Sequence, residues 1–180
     1  MYDLNVKMMN TDQNVRVSLR AMEPEDLDVL FEIENDERDW NVGVTNVPYS
    51  RSLLLDYIMN TSGDIYADKQ VRLMIENEGK VTVGIVDLVN FSPTHLRAEL
   101  GLVIKKEFRD RGYGASVVRK VCEYGRNVLH LHQIYAIVPK NNISCSKMLE
   151  DVGFQVNMVL KEWLFDGKSY ADAQLFQIFF

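Results

Sequence analysis

The stretch from Ala98 to Val118, AELGLVIKKEFRDRGYGASVV, places the tightest limits on what this chain can fold into. Leu100 to Ile104 is nearly all apolar, the pattern of a strand covered on both faces. A polar turn follows, then Arg109, Arg111, Gly112, Tyr113 and Gly114, and then Val117, Val118, Val121 and Cys122 at helical spacing. A strand feeding a glycine loop that opens a helix makes an anion site. The glycines let the backbone come close to a ligand, and the first N–H groups of the helix point outward with positive partial charge. Two arginines add fixed charge for phosphate oxygens. Gly112-x-Gly114 lacks the third glycine of the dinucleotide fingerprint and the Gly-Lys-Ser/Thr end of the P-loop, so neither common nucleotide loop is indicated.

Around this stretch the hydrophobic period alternates between strand and helix. Val15, Val17 and Leu19 alternate with polar residues as a short strand, and Glu23-Pro24-Glu25-Asp26 opens a helix continued by Leu27, Leu30 and Phe31. Ser52 to Ile58 reads as a second helix, stopped at Thr61-Ser62-Gly63. Strands follow at Val71 to Glu76 and Val81 to Val89, joined by a hairpin at Glu78-Gly79, and then at Leu96 to Ile104. The helix from Gly112 ends near Val128, and Ile134 to Val138 is the next strand. A short helix over Ser144 to Val152 is closed by Gly153, and Phe154 to Leu164 with Tyr170 to Phe179 forms a closing hairpin turned at Asp166-Gly167. Met1 to Asn14 shows no period and reads as a flexible extension, residues 1–14, ahead of one domain over residues 15–180.

A net charge of −6 argues against a general nucleic-acid binder, which needs a basic face, and permits a cationic substrate. Cys122 and Cys145 have no metal or disulfide spacing, and the three histidines, His95, His130 and His132, form no ligand pattern, so no metal is expected. No apolar run reaches the length of a membrane span and the N-terminus lacks a signal-peptide pattern, so the expected location is cytoplasmic. The run Glu32 to Asp39 carries Glu32, Glu34, Asp36, Glu37 and Asp39 against Arg38 alone. It reads as a solvated helix end or as an acidic wall for an amine.

Arg109-Asp110-Arg111-Gly112-Tyr113-Gly114 resembles the Arg/Gln-x-x-Gly-x-Gly/Ala signature of the GNAT acetyltransferases. Asn142, followed eleven and twelve residues later by Gly153-Phe154 with a short helix between, is similar to a second motif of that family, and the order of elements agrees. Within the family, Val83 to Leu88, Arg97-Ala98-Glu99 and the tail from Trp163 to Asp172 look like spermidine N-acetyltransferases; ribosomal-protein N-terminal acetyltransferases share part of the pattern. The resemblance implies an α/β (α+β) fold with a mixed, mostly antiparallel central sheet flanked by helices. It implies acetyl-CoA as cosubstrate and a small-molecule amine as acceptor, polyamine first, with neither nucleic acid nor membrane as partner and a homo-oligomer allowed. The alternatives are acetylation of a protein N-terminus and a CoA-binding regulatory domain without turnover.

By the same resemblance, the loop Arg109, Asp110, Arg111, Gly112, Tyr113, Gly114 and Ala115 holds the cofactor pyrophosphate, with Asn142 and Lys147 also assigned to the cofactor. The central strand is expected to splay from its neighbour after a bulge, so that the backbone of Leu102, Val103 and Ile104 binds pantetheine. Glu99, the one carboxylate inside that strand, is the candidate base, weighed against an exposed residue partnered by Arg97. The family places an acidic tyrosine five residues before the Gly-Phe phenylalanine, where this chain has Leu149. Cys145, one helical turn earlier, is the candidate replacement, weighed against a small packing residue; Tyr113 and Tyr135 are further phenol candidates, each weighed against a structural role. On the competing view Leu149 is part of an apolar wall and thiolate departs without an acid.

Overall fold

The computed structural model describes residues 15–36, 47–165 and 167–180. The predicted extension over residues 1–14, the acidic residues Glu37 and Asp39 and the turn residue Asp166 lie outside the described residues. In chain order the elements are β1 (Val17–Arg20), α1 (Leu27–Glu34), α2 (Arg51–Asn60), α3 (Ile65–Asp68), β2 (Val71–Asn77), β3 (Thr82–Ser92), β4 (Arg97–Ile104), α4 (Tyr113–Asn127), β5 (Gln133–Pro139), α5 (Ile143–Val152), β6 (Gln155–Phe165) and β7 (Tyr170–Phe179). Among the described residues the strands form one sheet in the order β1-β2-β3-β4-β5-β7-β6. Every adjacent pair is antiparallel except β4 and β5, which run parallel because α4 carries the chain back between them. The α/β class with a mostly antiparallel sheet is as expected, and the short helix α3 is an addition to the predicted order.

Local chemistry sets most of the boundaries. Pro24 and the reciprocal Glu23–Asp26 capping box start the turn that leads into α1. Ser50 caps α2 by accepting from the Leu53 N–H, and Asp64 caps α3 by accepting from the Tyr66 N–H. Gly153 closes α5 in a left-handed conformation with φ 114°.

The sheet buries both faces. On one, Val83, Val86, Leu88, Ile134 and Phe176 pack against Val117, Val118 and Val121 of α4 and Leu149 of α5. On the other, Met74 and Ile85 meet Leu30 and Ile33 of α1 and Leu54 and Ile58 of α2. Gly84 is required by contact: a Cβ there would lie 2.1 Å from the Val103 carbonyl oxygen of β4. The edge strand β6 leaves Met158, Trp163 and Phe165 exposed, with Tyr170 and Phe179 of β7 beside them.

Two charged clusters tie layers together. Arg20 of β1 donates to both carboxylate oxygens of Asp26 and to Glu76 of β2. Arg72 of β2 forks onto Asp87 of β3 at 2.7 and 2.9 Å, reaches Glu34 of α1, and lies over the Tyr57 ring of α2. Burial works against the Arg72 charge, but Asp87 and Glu34 more than offset it and hold the guanidinium firmly protonated.

Candidate active site

The site begins where β4 and β5 part. Their pairing lasts three rungs, Arg97 with Gln133, Ala98 with Ile134 and Glu99 with Tyr135. Beyond Glu99, β5 leaves β4 and pairs with β7 as far as Pro139, while β4 keeps its antiparallel pairing to β3 as far as Ile104. A cleft opens, and among the described residues no strand pairs with the β4 edge over Gly101 to Ile104 on its β5 side. Leu102, Val103 and Ile104 are accordingly half-buried, not covered on both faces as their apolar run predicts. The expected splay is present, but its bulge lies on β3, not on β4. The register shifts between Val89 and Ser92, opposite Glu99 and Arg97, and the extra residue Asn90 takes φ 52°.

That bulge aims a side chain. The Asn90 amide Nδ2 donates to Glu99 Oε2 at 2.9 Å. Glu99 is half-buried; its side-chain hydrogen bond comes from Asn90, its cross-strand neighbour is Tyr135, and the expected partner Arg97 is exposed. The Tyr135 phenol is pushed above the ordinary tyrosine range, first by burial and then by the Glu99 charge and a hydrogen bond to that carboxylate. Glu99 shares its sheet face with Gly101, whose cross-strand partner is Asp87, so the Asp87–Arg72–Glu34 cluster lies on the same face. Beside it, a shallow depression lined by Glu32, Asp36, Val103, Lys105 and Arg109 joins the end of α1 to the end of β4. Lys105 bridges Glu32 at 3.0 Å and Glu107 at 3.3 Å.

The glycine loop caps the open end of the cleft. Gly112 is the N-cap of α4 with φ 82°, and Asp110 is also left-handed with φ 59°. The backbone turns twice in succession and leaves the first N–H groups of a fifteen-residue helix facing out. Arg109, Asp110, Arg111 and Gly112 are exposed, while Tyr113, Gly114 and Ala115 are half-buried. Arg109 Nε donates to the Ile104 carbonyl at 2.8 Å, which pins the loop to the end of β4. The Arg111 guanidinium lies over Phe108. A Cβ on Gly114 would sit 3.8 Å from Leu102 and 3.9 Å from Met148, ordinary contacts, so packing does not demand this glycine. The loop, the helix terminus and the open β4 edge fit a long ligand with a phosphate group at one end.

Helix α5 supplies less. Asn142 is its N-cap, accepting from the Cys145 N–H at 3.2 Å, and Lys147 is exposed. Cys145 is half-buried, its thiol pushed up by burial. Leu149 is 1% exposed within the main core. Of the residues that bear on the site, Asn90, Asp87 and Arg72 were not singled out from the sequence. The available signal for Asn90 was its type, since asparagine tolerates a left-handed backbone.

Residues 16–155 match the family model described as the acetyltransferase (GNAT) domain. The chain belongs to the GNAT acetyltransferase family. The spermidine N(1)-acetyltransferase of Escherichia coli K12 is 28% identical over 160 residues, covering 87% of this chain and 82% of that protein. The Vibrio cholerae spermidine N(1)-acetyltransferase is 26% identical over 161 residues, covering 89% and 91%. A crystal structure of spermidine N-acetyltransferase from Vibrio cholerae in complex with CoA and spermine aligns with a TM-score of 0.81 at 25% identity, covering 91% of this chain and 95% of that one. A dodecameric structure of the Vibrio cholerae enzyme aligns with a TM-score of 0.75 at 25% identity, covering 91% and 93%. This GNAT chain is therefore an acetyl-CoA-dependent N-acetyltransferase.

Proposed function

We propose that this enzyme acetylates a primary amine of a small polycation of the spermidine type, with Glu99 as the base. The observation that carries the reading is the position of Glu99. It is the carboxylate at the point where β4 and β5 separate, on the face that also carries Asp87 and Glu34 against Arg72. Carboxylates in excess over cations favour an amine acceptor, and spermidine N-acetyltransferases are among the relatives of this chain.

Acetyl-CoA supplies the acetyl group as an activated thioester. The loop from Arg109 to Ala115 holds the pyrophosphate by backbone N–H groups and the α4 terminus, with Arg109 and Arg111 adding charge. Leu102, Val103 and Ile104 offer backbone groups along the open β4 edge to the pantetheine arm. Asn142 holds the start of α5 in place and Lys147 adds a cation beyond it. Glu99 accepts a proton from the acceptor nitrogen, with Asn90 fixing the carboxylate's orientation. The exposed apolar side chains of β6 and β7 suit an assembly of several copies.

The test is thiol release from acetyl-CoA with a panel of spermidine, spermine, monoamines and peptides with free N-termini. Polyamines are expected to give the highest kcat/KM, with KM rising with salt as screened attraction requires. Preference for a peptide N-terminus would replace the acceptor, and no release with any amine would favour a non-catalytic CoA-binding role.

A further inference from the structure

We propose that Tyr135 is the catalytic acid of this enzyme, returning to the departing sulfur the proton that Glu99 takes from the acceptor nitrogen. The inference rests on the transferase reading with Glu99 as base, and supplies the proton donor that Leu149 cannot be.

The geometry is specific. Glu99 and Tyr135 are cross-strand partners on the last rung before the cleft opens, so both side chains leave the same sheet face at its apex. Asn90 reaches this point from the β3 bulge and donates to Glu99 at 2.9 Å, on the rung that Glu99 shares with Tyr135. Carboxylate, phenol and carboxamide thus come from three adjacent strands to one spot, next to the open β4 edge that fits the thioester arm. The other candidates are occupied or remote. Tyr113 packs edge-on against Phe108 at the start of α4, and the Tyr57 hydroxyl accepts from Gln70 beside Arg72. Tyr66 and Tyr170 are exposed. Cys145 stands on α5, not on the strands that bring Glu99 and Asn90 together.

The proton balance closes within the pair. The neutral amine attacks, a C–N bond forms, and the nitrogen carries a surplus proton. Glu99 takes that proton, the C–S bond breaks, and Tyr135 gives its own proton to the sulfur. The protonated Glu99 then returns a proton to the phenolate that stands beside it on the same rung. The proton of the original ammonium left to solvent before attack, so the products are the amide and a neutral thiol. With ordinary values of about 4.3 for a carboxylic acid, about 8.5 for a thiol and about 10 for a phenol, passage from carboxyl to sulfur runs downhill overall. The coupling also sets the order of events. Burial first and the Glu99 charge second hold the phenol protonated, and the second of these restraints is lifted when Glu99 takes the proton. The groups facing Tyr135 are Glu99 and Arg97 of β4, Asn90 of β3 and the neutral Gln177 of β7; Arg97 works in the direction opposite to Glu99.

Two measurements on the intact chain test this. In the first, tyrosine Cζ carbons are labelled with ¹³C and titrated by NMR, the Tyr135 resonance being assigned by its loss in Tyr135→Phe. It should titrate above the ordinary tyrosine range, and its midpoint should fall in Glu99→Gln. An unchanged midpoint in Glu99→Gln overturns the relay. In the second, Tyr135→Phe should lower kcat with acetyl-CoA by about 10²-fold, in the range of a lost general acid. That loss should nearly vanish with the acetyl thioester of p-nitrothiophenol, whose thiolate leaves unprotonated. An equal loss with both donors makes Tyr135 structural. Glu99→Gln should lose activity with both donors; if it loses none with either, the base assignment fails and the relay with it.

Discussion

The Asn90 carboxamide meets the Glu99 carboxylate at 2.9 Å because β3 carries one residue more than β4 between Val89 and Ser92. Without that residue, strand alternation would send the side chain at position 90 to the face opposite Glu99. The bulge re-aims it, and the left-handed backbone at φ 52° is the local cost.

Asn90→Gly separates those two effects. Glycine accepts the left-handed backbone without strain, so the fold should keep its Tm within a few degrees while Glu99 loses its donor. Turnover is expected to fall about tenfold, the scale of a lost charge-assisted hydrogen bond, with acetyl-CoA binding unchanged. Asn90→Ala should show the same kinetic loss and an additional destabilisation of about 1 kcal/mol from backbone strain. Thermal melts and steady-state kinetics on the two variants check this.

Gly114 tests whether a ligand explains the second glycine of the loop. An added methyl meets Leu102 and Met148 at ordinary contact distances, and alanine suits a helix better than glycine. Gly114→Ala should therefore hold or raise the melting temperature of the free protein. If the pyrophosphate approaches this backbone, the same variant should weaken acetyl-CoA binding, read as a smaller ligand-induced thermal shift and by calorimetry. An undiminished shift would place the pyrophosphate elsewhere.

Helix α5 should tolerate loss of its thiol and resist an added ring. Cys145→Ala removes a half-buried thiol whose titration burial pushes upward, and turnover should stay within about twofold, far below the loss expected for a general acid. Leu149→Tyr places a larger side chain with a hydroxyl in a site that is 1% exposed, and overpacking should cost about 1–3 kcal/mol. Denaturant unfolding measures the second effect. A stable and faster Leu149→Tyr enzyme would mean that the helix leaves room for a phenol after all.

Acid should unfold the protein partly through Asp26. Its hydrogen bonds from Arg20 hold the carboxylate below the usual aspartate range. A depressed native value means that this contribution is fully present above the unfolded-state value of about 3.9. It is lost as pH falls through the native one. Asp26→Asn should lower stability at neutral pH by about 1–3 kcal/mol and flatten the decline of Tm on the acid side. Melting curves from pH 7 to pH 2.5 give both slopes.

The strand–loop–helix at Leu100 to Val118 was legible because three local signals coincide in it: an apolar run, glycines at a backbone turn, and a helical period. The stop at Gly153 was legible for the same reason, since it acts on backbone groups within a few residues. Those signals, with the order of elements, were enough to point to the family and to a phosphate-bearing cosubstrate. They also placed Glu99 as the one carboxylate in an apolar strand. What surrounds Glu99 was decided by tertiary structure alone. Its neighbours Asn90 and Tyr135 lie nine and thirty-six residues away on other strands. The splay that leaves Leu102 to Ile104 half-buried arises because β5 stays paired to β7 from Gln133 to Pro139 while its other edge parts from β4 beyond Tyr135, a divergence that an apolar run does not express. Burial of Leu149 and the Arg72 fork onto Asp87 are equally non-local. Sequence spacing fixes groups that share a turn or a strand, whereas acidity and orientation at the cleft follow from which strands meet, and only the packed sheet determines that.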